Sequence, residues 1–169
     1  MKILIISDSH DNYEKLRKSI SLGNDAGCEV LLHAGDFVSP PGIIYLKDFN
    51  GEVNMVWGNC EGEKLGIMNK INEYENITMH GDVMEKEFDG LKFYMNHYPD
   101  ITENACLSGK YNVCIHGHTH IYKEEKFENG AILLNPGEIH GYKTGTHTAI
   151  IFDTKKQKVE KINLSGTQF

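Results

Sequence analysis

The first half of the chain alternates short apolar runs with segments of helical spacing. Residues 3–7 (Ile-Leu-Ile-Ile-Ser) form an apolar run of the length expected for a strand buried on both faces. Asp11, with Glu14 three residues later, reads as a capping box. Tyr13, Leu16 and Ile20 then mark one face of a helix ending near Gly27. Residues 30–33 predict a second strand, and Pro40-Pro41 predicts the first turn of a second helix. A third strand follows at 53–57, then a third helix over about 61–72.

The second half is richer in strand. Apolar or alternating runs at 83–88, 91–96, 112–116, 122–127, 131–134, 147–153 and 159–164 predict seven strands, with a helix at about 100–108. Asp89-Gly90 and Asn129-Gly130 have the composition of hairpin turns, and Lys155-Lys156-Gln157-Lys158 reads as another, solvated one. The order βαβαβα followed by mainly antiparallel strands predicts two sheets packed face to face with helices outside. No linker, low-complexity tract or repeat interrupts the pattern, so residues 1–169 read as a single domain.

Composition narrows the class. Lys plus Arg count 17 against 24 Asp plus Glu, a net charge of −7. Such a chain is a poor surface for broad nucleic-acid or anionic-membrane binding. The apolar runs are far shorter than the roughly 18 residues of a membrane span, and the N-terminal run is too short for a signal peptide. Four cysteines without a C-x-x-C pair do not make a secreted disulfide scaffold. These features predict a cytoplasmic protein.

The candidate chemistry stands where strands end. The five strands starting near residues 3, 30, 53, 91 and 112 run into Asp8-Ser9-His10, Gly35-Asp36, Gly58-Asn59, His97 and Gly117-His118-Thr119-His120. In open α/β sheets, ligands bind outside the carboxyl ends of strands. The i, i+2 spacing of Asp8/His10 and of His118/His120 would aim each pair to one side of an extended backbone. Glycine before Asp36, Asn59 and His118 allows a sharp turn or a close backbone approach. A set of imidazoles, carboxylates and one amide suits Mn, Fe, Zn, Ni or Co better than a structural zinc of the thiolate type. Seven donors exceed one tetrahedral ion and suit two ions sharing a carboxylate, the clamp used for in-line attack at phosphorus.

Taken in order, Asp8-x-His10, Gly35-Asp36, Gly58-Asn59, His97 and Gly117-His118-x-His120 resemble the signature of the calcineurin-like metallophosphoesterases, and Leu134-Asn135-Pro136-Gly137 extends the similarity. The look is that of the small single-domain archaeal and bacterial phosphodiesterases. The resemblance implies a four-layer αββα sandwich of two mixed β-sheets flanked by helices. It implies two divalent metal ions: Asp8, His10 and His120 on the first, Asn59, His97 and His118 on the second, with Asp36 bridging. It also implies hydrolysis of a small phosphodiester or other phosphate ester by a hydroxide between the metals. An interaction scaffold on the same fold is the alternative, and a homo-oligomer stays open.

Two positions depart from the resemblance. Cys60 follows Asn59, where many relatives carry a histidine able to protonate the leaving group. A thiol is a weak stand-in, so good leaving groups, such as those of aryl diesters, should be favoured. Tyr98-Pro99 follows His97 where many relatives have Gly-His.

Simpler roles suffice for other residues. Asp8, Asp36 and Asn59 taken singly are ordinary caps and turn formers; it is their ordered placement that singles them out. Glu61 reads as a first-turn helix carboxylate. His33 and His116 read as satisfied core groups or supports for ligands, His80 as a surface residue, and His140 and His147 as non-ligands.

Overall fold

The computed structural model describes residues 1–165; residues 166–169 of the expected 1–169 domain lie outside the described residues. The chain forms β1 (Lys2–Ile6), α1 (Tyr13–Asp25), β2 (Val30–His33), a 3₁₀ turn (Pro40–Gly42) leading into α2 (Ile43–Leu46), β3 (Glu52–Met55), α3 (Lys64–Ile71) and β4 (Ile77–Met79). It continues with β5 (Val83–Phe88), β6 (Leu91–Asn96), α4 (Pro99–Leu107), β7 (Val113–Ile115), β8 (Lys123–Lys126), β9 (Ile132–Asn135), β10 (Thr148–Asp153) and β11 (Lys158–Asn163).

The strands make two mixed sheets, ordered β11-β10-β1-β2-β3-β4 and β5-β6-β7-β9-β8. In the first, β1, β2, β3 and β4 run parallel and β10 pairs antiparallel to β1. In the second, β6, β7 and β9 run parallel, flanked by antiparallel β5 and β8. The four layers follow from the period of two along each strand. On β1, Ile3 and Ile5 face the second sheet while Leu4 and Ile6 face the helices. The middle core joins them to Val30, Leu32, Phe93, Met95, Ile115 and Leu134. The outer cores hold Leu16 and Ile20 of α1 over the first sheet, and Cys106 of α4 against Tyr94, Cys114 and Leu133 of the second. This is the expected αββα sandwich.

The second half is mainly antiparallel, in the pairs β5–β6, β8–β9, β10–β11 and β10–β1, but β6, β7 and β9 run parallel to one another, with α4 connecting the first two. Three local expectations are corrected. The cap of α1 is Asn12, whose side chain accepts from the Lys15 amide at 3.2 Å, while Asp11 accepts instead from Ser39 Oγ at 2.7 Å. β4 follows α3 as a short strand with little apolar pattern of its own. Glu61 lies before α3; its carboxylate accepts from the amides of Phe37 (3.1 Å) and Gly58 (2.8 Å), tying the loops after β2 and β3 together.

Candidate metal centre

Six parallel strands send their carboxyl ends to one place. β1 is followed by Asp8 and His10, β2 by Asp36, β3 by Asn59, β6 by His97, β7 by His118 and His120, and β9 by Glu138. All seven residues singled out in the sequence are brought together, and Glu138 joins them.

The convergence does not come from extended backbone, as the i, i+2 spacing had suggested. Asp8, His10, Asp36, His118 and His120 all have left-handed φ, between 39° and 66°. They are five of the nine non-glycine residues in that region among those described. Each such conformation costs on the order of 1–3 kcal/mol and persists only where the surroundings over-determine it. Here the loops are laced to each other. Asp8 N donates to Gly35 O (3.0 Å), His10 N to Asp36 O (3.1 Å) and Gly117 N to His97 O (3.1 Å). The glycines serve the expected close approach. A Cβ on Gly58 would collide with the Asp36 carboxylate, and one on Gly117 with Ser7 Oγ.

One ligand-type atom each from Asp8, His10, Asp36 and His120 lies within 4.8 Å of all the others. His120 Nε2 is 3.2 Å from Asp8 Oδ1, and His10 Nε2 is 3.4 Å from Asp36 Oδ2. Beside this group, Asn59 Oδ1 lies 3.1 Å from His97 Nε2 and 2.8 Å from His118 Nδ1, and His97 Nε2 lies 3.4 Å from Asp36 Oδ1. Asp36 thus touches both groups. Its Oδ1 also accepts from the amides of Asn59 and Cys60, both at 2.8 Å.

The arrangement fits a divalent cation. Asp8 Oδ1 and His10 Nε2 are buried without a hydrogen-bond partner, a costly state that a cation among them would relieve. The far nitrogens of two imidazoles are already engaged. His97 Nδ1 bonds the Ala34 carbonyl (2.8 Å) and His120 Nδ1 bonds Glu138 Oε2 (2.7 Å), so each ring turns Nε2 inward. A carboxylate behind a histidine in this way fixes ring orientation and raises ligand basicity.

Protonation follows burial and charge. Burial pushes the Asp8 carboxyl up to about 6; a neighbouring cation acts in the opposite direction. Burial also opposes charge on Asp36, but its bond to His97, that ring's charge, and the Cys60 amide outweigh it and hold Asp36 below the usual carboxylate range. Burial disfavours protonation of His10 and His118, which keeps both as neutral rings with lone pairs to donate. For Cys60, burial and then the Asp36 charge push the thiol up. That argues against a reactive thiolate there.

A cavity of about 210 Å³ opens over these groups, lined by His10, Asp36, Asn59, Cys60, His118, His120, His140, Tyr142 and Lys143. Glu138 backs His120 without lining the cavity, and lies one residue beyond the Leu134–Gly137 block of the resemblance. Its signal was the Gly137-Glu138 step after an apolar run, the same grammar as Gly35-Asp36. His140 sits in the wall, its ring tilted 5.4 Å from His10. His33 is a satisfied core group, bonded to Ser9 Oγ (3.0 Å) and the Gly35 amide (3.3 Å). His116 Nδ1 bonds the Gly117 carbonyl (2.9 Å). His80 is only partly exposed and bonds Asn54 Oδ1 (2.8 Å), so it is less of a surface residue than expected.

Comparison with known proteins agrees with this geometry. Residues 1–157 match the calcineurin-like phosphoesterase superfamily domain. The chain is 37% identical over 168 residues to a phosphodiesterase of Methanocaldococcus jannaschii, covering 97% of this chain and 99% of that protein. A solved archaeal phosphodiesterase superposes with a TM-score of 0.90 at 36% identity, over 96% of this chain and 99% of that one. The phosphoesterase Yfce of E. coli shares the fold at a TM-score of 0.70 and 16% identity, over 98% of this chain and all of that one. The chain belongs to the calcineurin-like phosphoesterase superfamily.

Proposed function

We propose that this protein is a phosphodiesterase that uses two divalent metal ions. The observation carrying this reading is the pair of adjoining donor groups sharing Asp36. Asp8, His10 and His120 would hold one ion, and Asn59, His97 and His118 the other. The relatives named phosphodiesterase support the reaction class. Bound there, the ions supply Lewis-acid polarisation of the phosphoryl group and acidification of a water.

The chain's own residues do the rest. Asp36, kept ionised by His97 and two backbone amides, offers one carboxylate to both groups. Asn59 gives an uncharged oxygen, which limits negative charge where an anionic substrate must approach. Glu138 and Ala34 O hold His120 and His97 in place, so the donors need no reorganisation when substrate arrives. Cys60 lines the cavity but is a poor proton donor at neutral pH, since its thiol is raised. The leaving group therefore departs with little proton assistance, which favours alcohols of low pKa.

The domain spans residues 1–169 in this reading. A reducing, cytoplasmic setting is supported by four cysteines that are all free. No helix among the described residues is long and apolar enough to cross a membrane.

The test is metal removal. Chelation should abolish hydrolysis of bis(4-nitrophenyl) phosphate, and Mn, Ni or Co should restore it, with about two ions bound per chain by elemental analysis. Full activity in metal-free protein would overturn the reading.

A further inference from the structure

The segment between β9 and β10 contributes three residues to the cavity that the proposed chemistry leaves unused, His140, Tyr142 and Lys143. The segment is pinned at both ends. On one side, Ile139 N donates to Ser7 O and His140 N to Asp8 O, both at 3.0 Å, while Asn12 Nδ2 donates to His140 O at 3.1 Å. On the other, the Thr144 amide and hydroxyl donate to Glu138 Oε1 at 2.7 and 2.8 Å. The second anchor is the same carboxylate that orients His120. The loop is therefore positioned by the metal centre's own supports, through a buried Glu138.

Between those anchors stand two side chains with no structural employment. Tyr142 is 85% exposed, the most exposed large hydrophobic among the described residues. Its ring meets His140 at 5.6 Å and 45°, which leaves a face open. Tyr98, the other aromatic beside the centre, is by contrast engaged with His97 and His118 at 5.3 and 5.2 Å. Lys143 makes no ion pair among the described residues, yet its charge bears on both His10 and His118. The cavity thus carries an unpaired ammonium and an open aromatic face beside the centre.

We infer that Lys143 and Tyr142 determine specificity: Lys143 binds a non-bridging phosphate oxygen, and Tyr142 stacks on an aromatic group of the diester. The ammonium matches the single negative charge of a diester. An aromatic ring offers the open Tyr142 face a partner at little entropic cost, since a stacked ring has few rotors to freeze. The inference rests on the phosphodiesterase reading and names its substrate class as diesters bearing an aryl or nucleoside substituent.

The test holds the leaving group constant. Metal-loaded protein is given 4-nitrophenyl diesters whose second substituent is methyl, phenyl or 5′-thymidyl. Wild type should prefer the phenyl or thymidyl ester over the methyl ester by about tenfold in kcat/KM, ~1.4 kcal/mol. Tyr142→Ala should bring that ratio towards one, and Tyr142→Phe should retain it. Lys143→Ala should raise KM about tenfold for all three, with partial rescue by Lys143→Arg. Which of phenyl and thymidyl leads separates an aryl pocket from a nucleoside pocket. A second readout needs no turnover: calorimetry should show phenylphosphonate binding about tenfold tighter than methylphosphonate, and Tyr142→Ala should remove the difference. Equal rates for all three esters, together with equal phosphonate affinities in wild type, would sink this inference while leaving the phosphodiesterase reading intact. Absence of any diester hydrolysis would instead sink that reading, and the phosphonate comparison would still decide the role of Tyr142.

Discussion

The two halves of the centre are built differently. Around Asp8 and His120, the side chains are closed off: Asp8 is fully buried, His120 is 5% exposed, and a buried carboxylate backs the imidazole. Around Asn59 and His118, the donors face the cavity; Asn59 is exposed and His118 half-buried, and only His97 is buried with a backbone carbonyl behind it. Charge differs as well. The closed half holds Asp8 in addition to the shared Asp36, whereas the open half adds only a neutral amide. Burial strengthens electrostatics and orients ligands, so the closed half should grip an ion tightly. Both halves reach the cavity, His10 and His120 from one and Asn59 and His118 from the other, but the open half presents its more exposed donors beside Lys143 and Tyr142, where a substrate can enter.

The largest effect is expected where the halves meet. Asp36→Ala removes the one side chain common to both and should lower kcat by at least about 10²–10³-fold, the loss typical of a group that organises transition-state charge. Bound metal should fall with it in elemental analysis. Retention of wild-type rate and metal content would show that the halves do not depend on a shared carboxylate.

An intermediate effect should separate them. Glu138→Gln leaves every proposed ligand in place but weakens the support behind His120. Metal affinity should drop about 10–100-fold at one site only, seen as a split in a chelator titration. A uniform loss at both sites would mean that Glu138 acts on the whole fold rather than on the closed half.

The smallest effect concerns the open rim. Cys60→His places an imidazole beside Asn59. It should speed diesters of poor leaving groups by roughly tenfold, below the 10²–10⁴ of a well-placed general acid. Rates for nitrophenyl leaving groups should barely change. In wild type, log kcat should fall steeply as leaving-group pKa rises. A flat dependence would mean that protonation is supplied from elsewhere in the cavity.

Much of this was legible in the residues. Apolar runs located β1, β2, β3 and β6, because strands buried on both faces leave no polar alternation to misread. The proposed ligands were legible because each follows such a run directly. β4 was missed because Ile77–Met79 is three residues long and half-exposed. Asp11 was mistaken for the cap because Asp and Asn are equally good caps; what decided it is that Ser39, 28 residues away, engages Asp11.

The parallel course of β9 was less accessible, and Glu138 with it. Strand direction depends on which neighbour a strand pairs with, here β7, and that pairing is non-local. The left-handed backbone at Asp8, His10, Asp36, His118 and His120 was equally hidden. Local preference opposes it for non-glycine residues, and only hydrogen bonds between loops far apart in sequence hold it.

By itself, then, the sequence determined most of the strands, the layer order and the seven proposed donors. These rest on local pattern, and burial of apolar faces enforces local pattern wherever the chain goes. Only the tertiary structure decided the left-handed backbone that turns the proposed donors inward, which carboxylate supports His120, and which loop walls the cavity. Those depend on distances between six strand ends, which are set when two sheets pack and their loops bond across the gap.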